Sequence, residues 1–398
     1  MVNLHRGCRS STENHLTNLM NVTFETFYLL ASLQGVLLSV FLFTKKQNHA
    51  ANLVLAVATL ALSIELATVV YYANGWYKLY PHLLSFSYPF PALYGPLFFL
   101  YAQLISKKKE HLRAIDLLHF TPVLVVYCTT APIFFSSGEE MIAFLNNMLR
   151  GIHDPIYTVF SAFVPMQGIT YTILTIKTVA EYNRSIKDSY STIDPINLNW
   201  LKYITLGLII IWSIVALVTI ATAVGLYFAQ IKALINVPLA ILIYSIGYMG
   251  LKQAEIFLDP ASISLQRESA VKYRRSGLSD ESAEEIKRKL LALMTSEKPF
   301  LGQDLTLQRL AERLKTSSHN LSEVINTKIH QSYYDFVNNY RVEEFKNRIA
   351  DPENQRYNLL SIAFDSGFQS KGTFNSIFKK FTGMTPSEYK EKLNSPPG

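Results

Sequence analysis

One stretch decides the fold of the C-terminal part of this chain: SIAFDSGFQSKGTFNSIFKKFTGMTPSEYK, residues 361–390. Ile362 and Ala363 give a first short helix its apolar face. Gly367 then marks a turn, and Ser370 is a suitable N-cap for a second helix. The buried face of that second helix is predicted to consist of Phe374, Phe378 and Phe381. Two short helices joined by a tight turn make a helix-turn-helix, so the stretch predicts that motif.

A similar unit precedes this stretch. Its first helix is followed by a turn at Lys315, and Ser317 is placed to cap its second helix. Residues 334–350 are typical of one long helix, which ends before Pro352. The residues predicted to face inward are Leu307, Leu310, Ala311, Leu314, Leu321, Val324 and Ile325 in this unit, and Phe336, Val337, Tyr340, Phe345 and Ile349 in the long helix. The pattern predicts two helix-turn-helix units joined by a stiff helix.

These residues resemble the signature of the AraC family of transcriptional regulators. The matching positions are Ile362, Ala363, Gly367, Phe368, Ser370, Phe374, Phe378, Phe381, Gly383, Thr385, Pro386 and Tyr389. The resemblance covers roughly residues 280–393, including both units and the connecting helix. It implies that the second helix of each unit enters a major groove of DNA, with the two helices about 34 Å apart. The whole chain also resembles membrane-anchored regulators of this family, which have a seven-helix N-terminal half.

The resemblance, carried over by position, predicts the residues that contact DNA. They are Ser317, His319, Asn320, Ser322 and Glu323 in the first unit, and Ser370, Lys371, Gly372, Thr373, Asn375, Ser376, Lys379 and Lys380 in the second. Thr373 and the amides at the helix N-terminus suit a phosphate, and the last two lysines add positive charge. Many relatives carry arginine where Glu323 and Ser376 stand, so the strong arginine–guanine contact is missing. Lys315 and His330 stand where glycine is usual, which implies modest strain if their φ angles are positive.

The preceding part of the chain, residues 22–251, is far more apolar. The chain has 398 residues, of which 49% are hydrophobic, and carries a net charge of +7. Seven apolar runs lie in this region, each near the roughly 20 residues that cross a bilayer as a helix. They cover residues 23–43, 50–72, 83–105, 116–135, 155–179, 202–228 and 233–251. We therefore predict an all-α chain, with a seven-helix transmembrane domain at residues 22–251 and a DNA-binding domain at residues 279–398.

Basic residues follow the odd-numbered runs. They are Lys45 and Lys46 after the first run, Lys107, Lys108, Lys109 and Arg113 after the third, and Lys177, Arg184, Lys187 and Lys202 around the loop after the fifth. The positive-inside rule places these loops in the cytoplasm. The N-terminus is then outside, and the C-terminal domain lies in the cytoplasm with the DNA. This pattern predicts a multi-pass protein of the bacterial inner membrane.

Two polar residues within the runs are candidate sensors. Glu65 lies in the second run, where a carboxylate is costly unless it is paired or protonated. Gln34 lies in the first run, and packing through interhelical hydrogen bonds is the alternative role for both residues. Residues 1–21 are predicted to be a polar tail that is disordered or lies ahead of a natural start at Met20. Residues 252–278 are predicted to be a juxtamembrane linker, followed by a helix at 280–295 that packs on the next domain or serves as a dimer or signalling helix.

Enzyme chemistry has no support in the sequence. The two cysteines, Cys8 and Cys128, form neither a disulfide framework nor a zinc cluster. The histidines and acids have no metal-binding spacing, and there is no glycine-rich phosphate loop, so no metal or cofactor is expected. The expected function is a membrane-embedded transcription regulator that binds double-stranded DNA, senses a small-molecule or lipid signal, and can form a homodimer. The alternative is a transporter or channel-like protein with a regulatory C-terminal domain.

Overall fold

The computed structural model describes residues 2–46, 48–106, 109, 111–149, 155–194, 196–224, 231–252, 278–354 and 356–394. The chain divides into two compact units. The apolar unit comprises Met1–Ala180 and Asn199–Phe257, and the C-terminal unit comprises Glu181–Leu198 and Leu258–Gly398. Every regular element in the described ranges is helical, which confirms the all-α prediction. Residues 181–198, although they lie between two apolar runs, therefore belong with the C-terminal unit.

Apart from one helix between the fourth and fifth runs, the helices of the first 252 residues follow the predicted apolar runs. They are α1 (Val2–Thr44), α2 (His49–Ala73), α3 (His82–Ser87), α4 (Pro91–Ile105), α5 (Thr121–Phe134), α6 (Gly138–Leu149), α7 (Pro155–Ser185), α8 (Asn199–Ala223) and α9 (Ile231–Lys252). Residues 2–21 of the predicted tail are helical and continuous with the first run. Five stretches are long and apolar enough to cross a membrane: Val22–Thr44, His49–Ala73, Ala114–Phe134, Val159–Asp188 and Asn199–Thr222.

The two remaining runs form shorter apolar helices, at Pro91–Ile105 and Leu234–Met249. The prediction of one continuous helix over residues 83–105 was wrong, because α3 ends at Ser87 and α4 begins at Pro91. Proline lacks an amide hydrogen and cannot continue a helix in the usual way, but it suits the first helical position. The described residues therefore show five candidate spans and two shorter apolar helices, and the seven-span count stays a prediction.

The apolar unit brings helices close through small and polar residues, and it carries large apolar residues on its outside as well as in its core. The hydroxyl of Ser32 on α1 donates to the carbonyl oxygen of Ser63 on α2 at 2.9 Å. A Cβ atom added to Gly35 would lie 2.1 Å from the Ser63 hydroxyl oxygen, so these helices meet closely. The outward side chains include Leu29, Leu33, Leu37, Val40, Leu217 and Ile220, each at least half exposed. Close contact through small residues and an apolar exterior are typical of helices packed in a lipid bilayer.

The C-terminal unit contains seven described helices. They are α10 (Asp280–Ser296), α11 (Leu307–Arg313), α12 (Ser318–Lys328), α13 (Tyr333–Ala350), α14 (Leu359–Asp365), α15 (Lys371–Thr382) and α16 (Pro386–Asn394). Each boundary predicted from the sequence lies within a residue or two of the observed one. Ser279 caps α10 as predicted, through a hydrogen bond that its side chain accepts from the Ser282 amide. The predicted linker, residues 252–278, lies almost wholly outside the described residues.

Two apolar cores share the long helix α13. The first core joins α10, α11, α12 and the start of α13 through Leu290, Met294, Leu310, Leu321, Ile325, Phe336 and Val337. The second joins the rest of α13 to α14, α15 and α16 through Val342, Phe345, Ile362, Phe368, Phe374, Phe378 and Tyr389. Because both cores contain side chains of one helix, α13 fixes the two halves of this unit relative to each other.

Candidate nucleic-acid interface

The first helix-turn-helix unit consists of α11, a turn and α12. Thr306 caps α11 by accepting a hydrogen bond from the Arg309 amide at 3.3 Å. Lys315 in the turn has φ +54°, so the residue that stands in place of glycine adopts the left-handed conformation. Ser317 caps α12 by accepting from the Asn320 amide at 3.0 Å. The predicted turn and cap are both confirmed.

The second unit consists of α14, a turn and α15. Gly367 in the turn has φ +94°, a conformation that residues with a Cβ atom seldom adopt. The Ser370 hydroxyl oxygen accepts a hydrogen bond from the Thr373 amide at 3.1 Å and caps α15. Gly383, with φ +76°, ends α15 in a left-handed C-cap. A capping box between Thr385 and Glu388 opens α16 as predicted.

A buried arginine on α13 holds two loop segments of the C-terminal unit against that helix. The Arg341 side chain, 1% exposed, donates to the carbonyl oxygens of Phe300 at 2.8 Å and Gly302 at 3.0 Å. It also donates to the carbonyl oxygen of Ser191 at 3.2 Å. Burial lowers the pKa of Arg341 to about 10, which still leaves the guanidinium charged at neutral pH. These carbonyl oxygens compensate the buried positive charge of Arg341. The attachment of the two loop segments to α13 therefore depends on the position of their backbone around the guanidinium.

An ionic contact on the same helix adds to this connection. The Glu344 side chain accepts hydrogen bonds from Lys298 at 2.8 Å and from Arg348 at 2.9 Å. Burial by itself would raise the pKa of Glu344, but these two bonds hold it below its ordinary value. Lys298 precedes the short helical turn at Pro299–Leu301, so the pair links that turn to α13.

The predicted DNA-contacting residues of α15 lie on its accessible face. Six of them are exposed: Lys371, Gly372, Asn375, Ser376, Lys379 and Lys380. Ser370 and Thr373 are half-buried at the helix N-terminus. The opposite face carries Phe374 and Phe378, which are buried in the second core. The structure thus separates an apolar side that holds α15 in place from a polar side that a major groove could receive.

The corresponding residues of α12 are less accessible. Ser317 is exposed, whereas His319, Asn320 and Glu323 are half-buried. Ser322 is only 7% exposed, and the side-chain amide nitrogen of Asn326 donates to its hydroxyl oxygen at 3.4 Å. Ser322 is therefore the least accessible of the predicted DNA-contacting residues. A contact between Ser322 and a base would require its side chain to become accessible from solvent.

One of the predicted DNA-contacting lysines is engaged within the protein. The ammonium group of Lys380 lies 2.6 Å from a carboxylate oxygen of Asp335 on α13. Lys371 and Lys379 make no such ion pair with the residues that the structure describes. The positive charge available for DNA phosphates is therefore that of Lys371 and Lys379, while the charge of Lys380 is paired within the protein.

The sequence reasoning missed an acidic residue at the N-terminus of α15. Asp194, from residues 181–198, accepts hydrogen bonds from the hydroxyl groups of Ser370 and Thr373. These residues are separated by more than 170 positions, and the segment around Asp194 has no periodic pattern. A loop contact of this kind leaves no local signal in one sequence.

The two predicted sensor residues lie against different helices. The Gln34 side-chain amide nitrogen would be 2.4 Å from a Cβ atom added to Gly247 of α9. Glu65 of α2 is half-buried, and Tyr94 of α4 lies near it. These contacts fit helix packing as well as sensing, because polar side chains serve both roles inside helix bundles.

Comparison with known proteins identifies the C-terminal region. A family model described as a helix-turn-helix domain matches residues 310–392. This region is an AraC-type helix-turn-helix domain. The helix-turn-helix domain is similar to uncharacterized HTH-type transcriptional regulators of Staphylococcus aureus strains COL and MSSA476, each 30% identical over 88 residues.

The similarity to those relatives is confined to the helix-turn-helix domain. The aligned residues are 22% of this chain and 11% of each relative, so the chain spans about a tenth of the length of the curated relatives it matches. No solved structure matches the chain. The comparisons therefore show a helix-turn-helix domain at residues 310–392 that is similar to part of HTH-type transcriptional regulators.

Proposed function

We propose that this protein is a membrane-embedded transcription regulator that binds specific DNA sequences. The observation that carries the proposal is the pair of helix-turn-helix units held on one buried helix, α13, with the polar face of α15 exposed. A rigid connection matters because two helices can read adjacent major grooves only when their spacing matches one turn of DNA. Binding DNA in this way requires no catalytic residue, so the proposal includes no enzymatic activity.

The proposed contacts divide by chemistry. Ser370, Thr373 and the first amides of α15 would bind a phosphate, and Lys371 and Lys379 would add charge. Asn375 and Ser376 would face base edges, where an amide can read adenine and a hydroxyl is less selective. In the first unit, Ser317, His319, Asn320 and Glu323 are the proposed contacts. Glu323 would favour cytosine, whose amino group can donate to a carboxylate.

The membrane part of the proposal rests on the apolar exterior of the apolar unit, residues 1–180 and 199–257, and on its five candidate spans. We propose an inner-membrane protein with seven spans, in which two shorter apolar helices complete the bundle and the N-terminus faces outward. This topology leaves the helix-turn-helix domain in the cytoplasm. Glu65 and Gln34 are the proposed sensor residues for a small-molecule or lipid signal, and a homodimer would add avidity for paired sites.

The decisive test is DNA binding by the full-length protein in lipid nanodiscs. Labelled promoter fragments from the native host should bind in preference to shuffled DNA of the same composition. Asn375→Ala combined with Ser376→Ala should remove that preference and leave most of the salt-dependent, non-specific binding. Equal affinity for native and shuffled fragments would refute sequence-specific recognition.

A further inference from the structure

The loop between α7 and α8 is built into the C-terminal unit. It leaves α7 through a short helical turn, Ile186–Asp188, and continues to Leu198 before α8 begins. Ile186 and Leu198 at its two ends are 1% and 0% exposed. A surface connection would not bury its ends in this way, so the loop occupies a defined position.

The middle of the loop is anchored beside α13. The Ser191 hydroxyl, in a residue 1% exposed, donates to the Leu305 carbonyl oxygen at 2.6 Å. The Leu307 amide donates to the carbonyl oxygen of Ser189 at 3.0 Å. Arg341 donates to the carbonyl oxygen of Ser191 at 3.2 Å. The anchor therefore uses the same guanidinium that holds the Pro299–Leu301 turn against α13.

The tip of the loop reaches the N-terminus of α15. The Ser370 hydroxyl donates to a carboxylate oxygen of Asp194 at 2.5 Å, and the Thr373 hydroxyl donates to the same oxygen. Ile193 packs against the second apolar core beside this contact. The positive end of the helix dipole favours an anion here, so the carboxylate is held by both hydrogen bonds and the dipole.

The contact has the chemistry of a DNA phosphate. A phosphate at the N-terminus of a recognition helix accepts hydrogen bonds from hydroxyl groups and amides, as this carboxylate does from Ser370 and Thr373. The two hydroxyl groups cannot donate to Asp194 and to a phosphate at once, because each carries one hydrogen. Asp194 would also repel the DNA backbone by its charge.

We propose that Asp194 and a DNA phosphate compete for the N-terminus of α15, so that the docked loop holds the helix-turn-helix domain in a low-affinity state. This inference rests on the proposed DNA-binding function. The loop is continuous in sequence with α7 and α8, both candidate spans, so a change in those helices has a direct covalent route to the tip. DNA and the loop bind the N-terminus of α15 one at a time. A signal that withdraws Asp194 from α15 therefore raises the affinity for DNA.

The test measures DNA affinity of the full-length protein in nanodiscs by fluorescence anisotropy. The probe is a labelled duplex enriched from a random library by the Asp194→Ala variant. If the docked state holds roughly 90% of the molecules, Asp194→Ala should bind about tenfold more tightly than the wild type. The control, Asp188→Asn, removes one negative charge from the same loop but leaves the Asp194 hydrogen bonds to α15 in place, and its affinity should stay within about twofold of the wild type.

A second pair of variants separates competition from a general charge effect. Thr373→Val removes one hydroxyl that both anions need, so it should weaken DNA binding and reduce the gain produced by Asp194→Ala. Asp194→Asn keeps the size and one acceptor oxygen, so its gain should be smaller than that of alanine. An Asp194→Ala gain that is unchanged in the Thr373→Val background would overturn competition at this hydroxyl.

Hydrogen exchange of the wild-type protein gives a readout that needs no variant. Peptides covering residues 193–197 should exchange faster when saturating DNA is added, because the tip leaves α15. Unchanged exchange in bound protein, or an Asp194→Ala affinity equal to or weaker than wild type, would overturn the inference while DNA binding itself stands. If no variant binds any duplex, the proposed DNA-binding function fails, and the competition fails with it.

Discussion

Gly367 offers a sharp test of how the second helix-turn-helix unit is held. A Cβ atom at this position would lie 2.4 Å from the carbonyl oxygen of Phe300 and 2.9 Å from the Nε atom of Arg341. Those two atoms form the 2.8 Å hydrogen bond between Arg341 and the Pro299–Leu301 turn. Gly367→Ala must therefore displace the carbonyl group, and the displacement weakens a buried hydrogen bond to a charged group.

Gly383 is the matched control. It also has a positive φ, +76° against +94° for Gly367, but among the described residues nothing beyond its two chain neighbours lies within 4 Å of its added Cβ. Gly383→Ala should cost only the backbone strain, about 1 kcal/mol. Gly367→Ala adds a weakened charged hydrogen bond, which contributes about 1.5–3 kcal/mol, and a steric clash. We expect a total loss of about 3–5 kcal/mol in the free energy of unfolding.

The assay must report on the C-terminal unit alone. The three tryptophans, Trp76, Trp200 and Trp212, all belong to the apolar unit, so intrinsic tryptophan fluorescence is unsuitable. Pulse proteolysis in urea, followed with an antibody to a C-terminal epitope, reads the correct unit. With a urea dependence of about 1–3 kcal/mol per molar, the two variants should differ in midpoint by about 1 M or more. Equal midpoints for both variants would refute the assigned role of Gly367.

Two further predictions concern charge. Lys371→Ala should reduce the slope of log affinity against log salt concentration by about 1, because its ammonium group is available for a phosphate. Lys380→Ala should change the slope less, since Asp335 already pairs with Lys380; equal changes would contradict that assignment. Glu344→Gln should destabilise the unit by about 1–2 kcal/mol at neutral pH. The folded-state pKa of Glu344 is lowered, so this difference should persist down to about pH 5 and shrink below about pH 4 in the same proteolysis assay. A difference that grows on acidification would have the wrong sign.

The helix-turn-helix domain was predictable because its signals are local. Ser317 and Ser370 each cap the helix that begins at the next residue, and Gly367 takes the positive φ expected at the turn. Phe374 and Phe378 of α15 repeat at helical spacing and are buried as the pattern predicts, whereas Phe381 is only half-buried against the same core. Lys315 shows that a turn can keep its left-handed geometry without glycine, since the flanking helices determine the backbone there.

The features that the sequence did not reveal have physical causes that a local residue pattern does not contain. Hydropathy summed over residues 83–105 concealed the break between α3 and α4, although proline there lacks the amide that a continuous helix needs. The DNA contact of Ser322 stays a prediction, and its low exposure, 7%, arises from tertiary packing that position along α12 does not show. The contact of Asp194 with α15 joins distant parts of the chain, and only the folded structure brings them together.

Chromatin immunoprecipitation of the full-length protein tests the central proposal most directly. An epitope-tagged wild-type protein, crosslinked in its native host and recovered from the membrane fraction, should enrich a discrete set of promoters that share a sequence motif. The Asn375→Ala, Ser376→Ala double variant, expressed at the same level, should lose those sites. Enrichment no greater than that of an untagged strain, or enrichment that the double variant retains in full, would contradict DNA reading by α15 from the membrane.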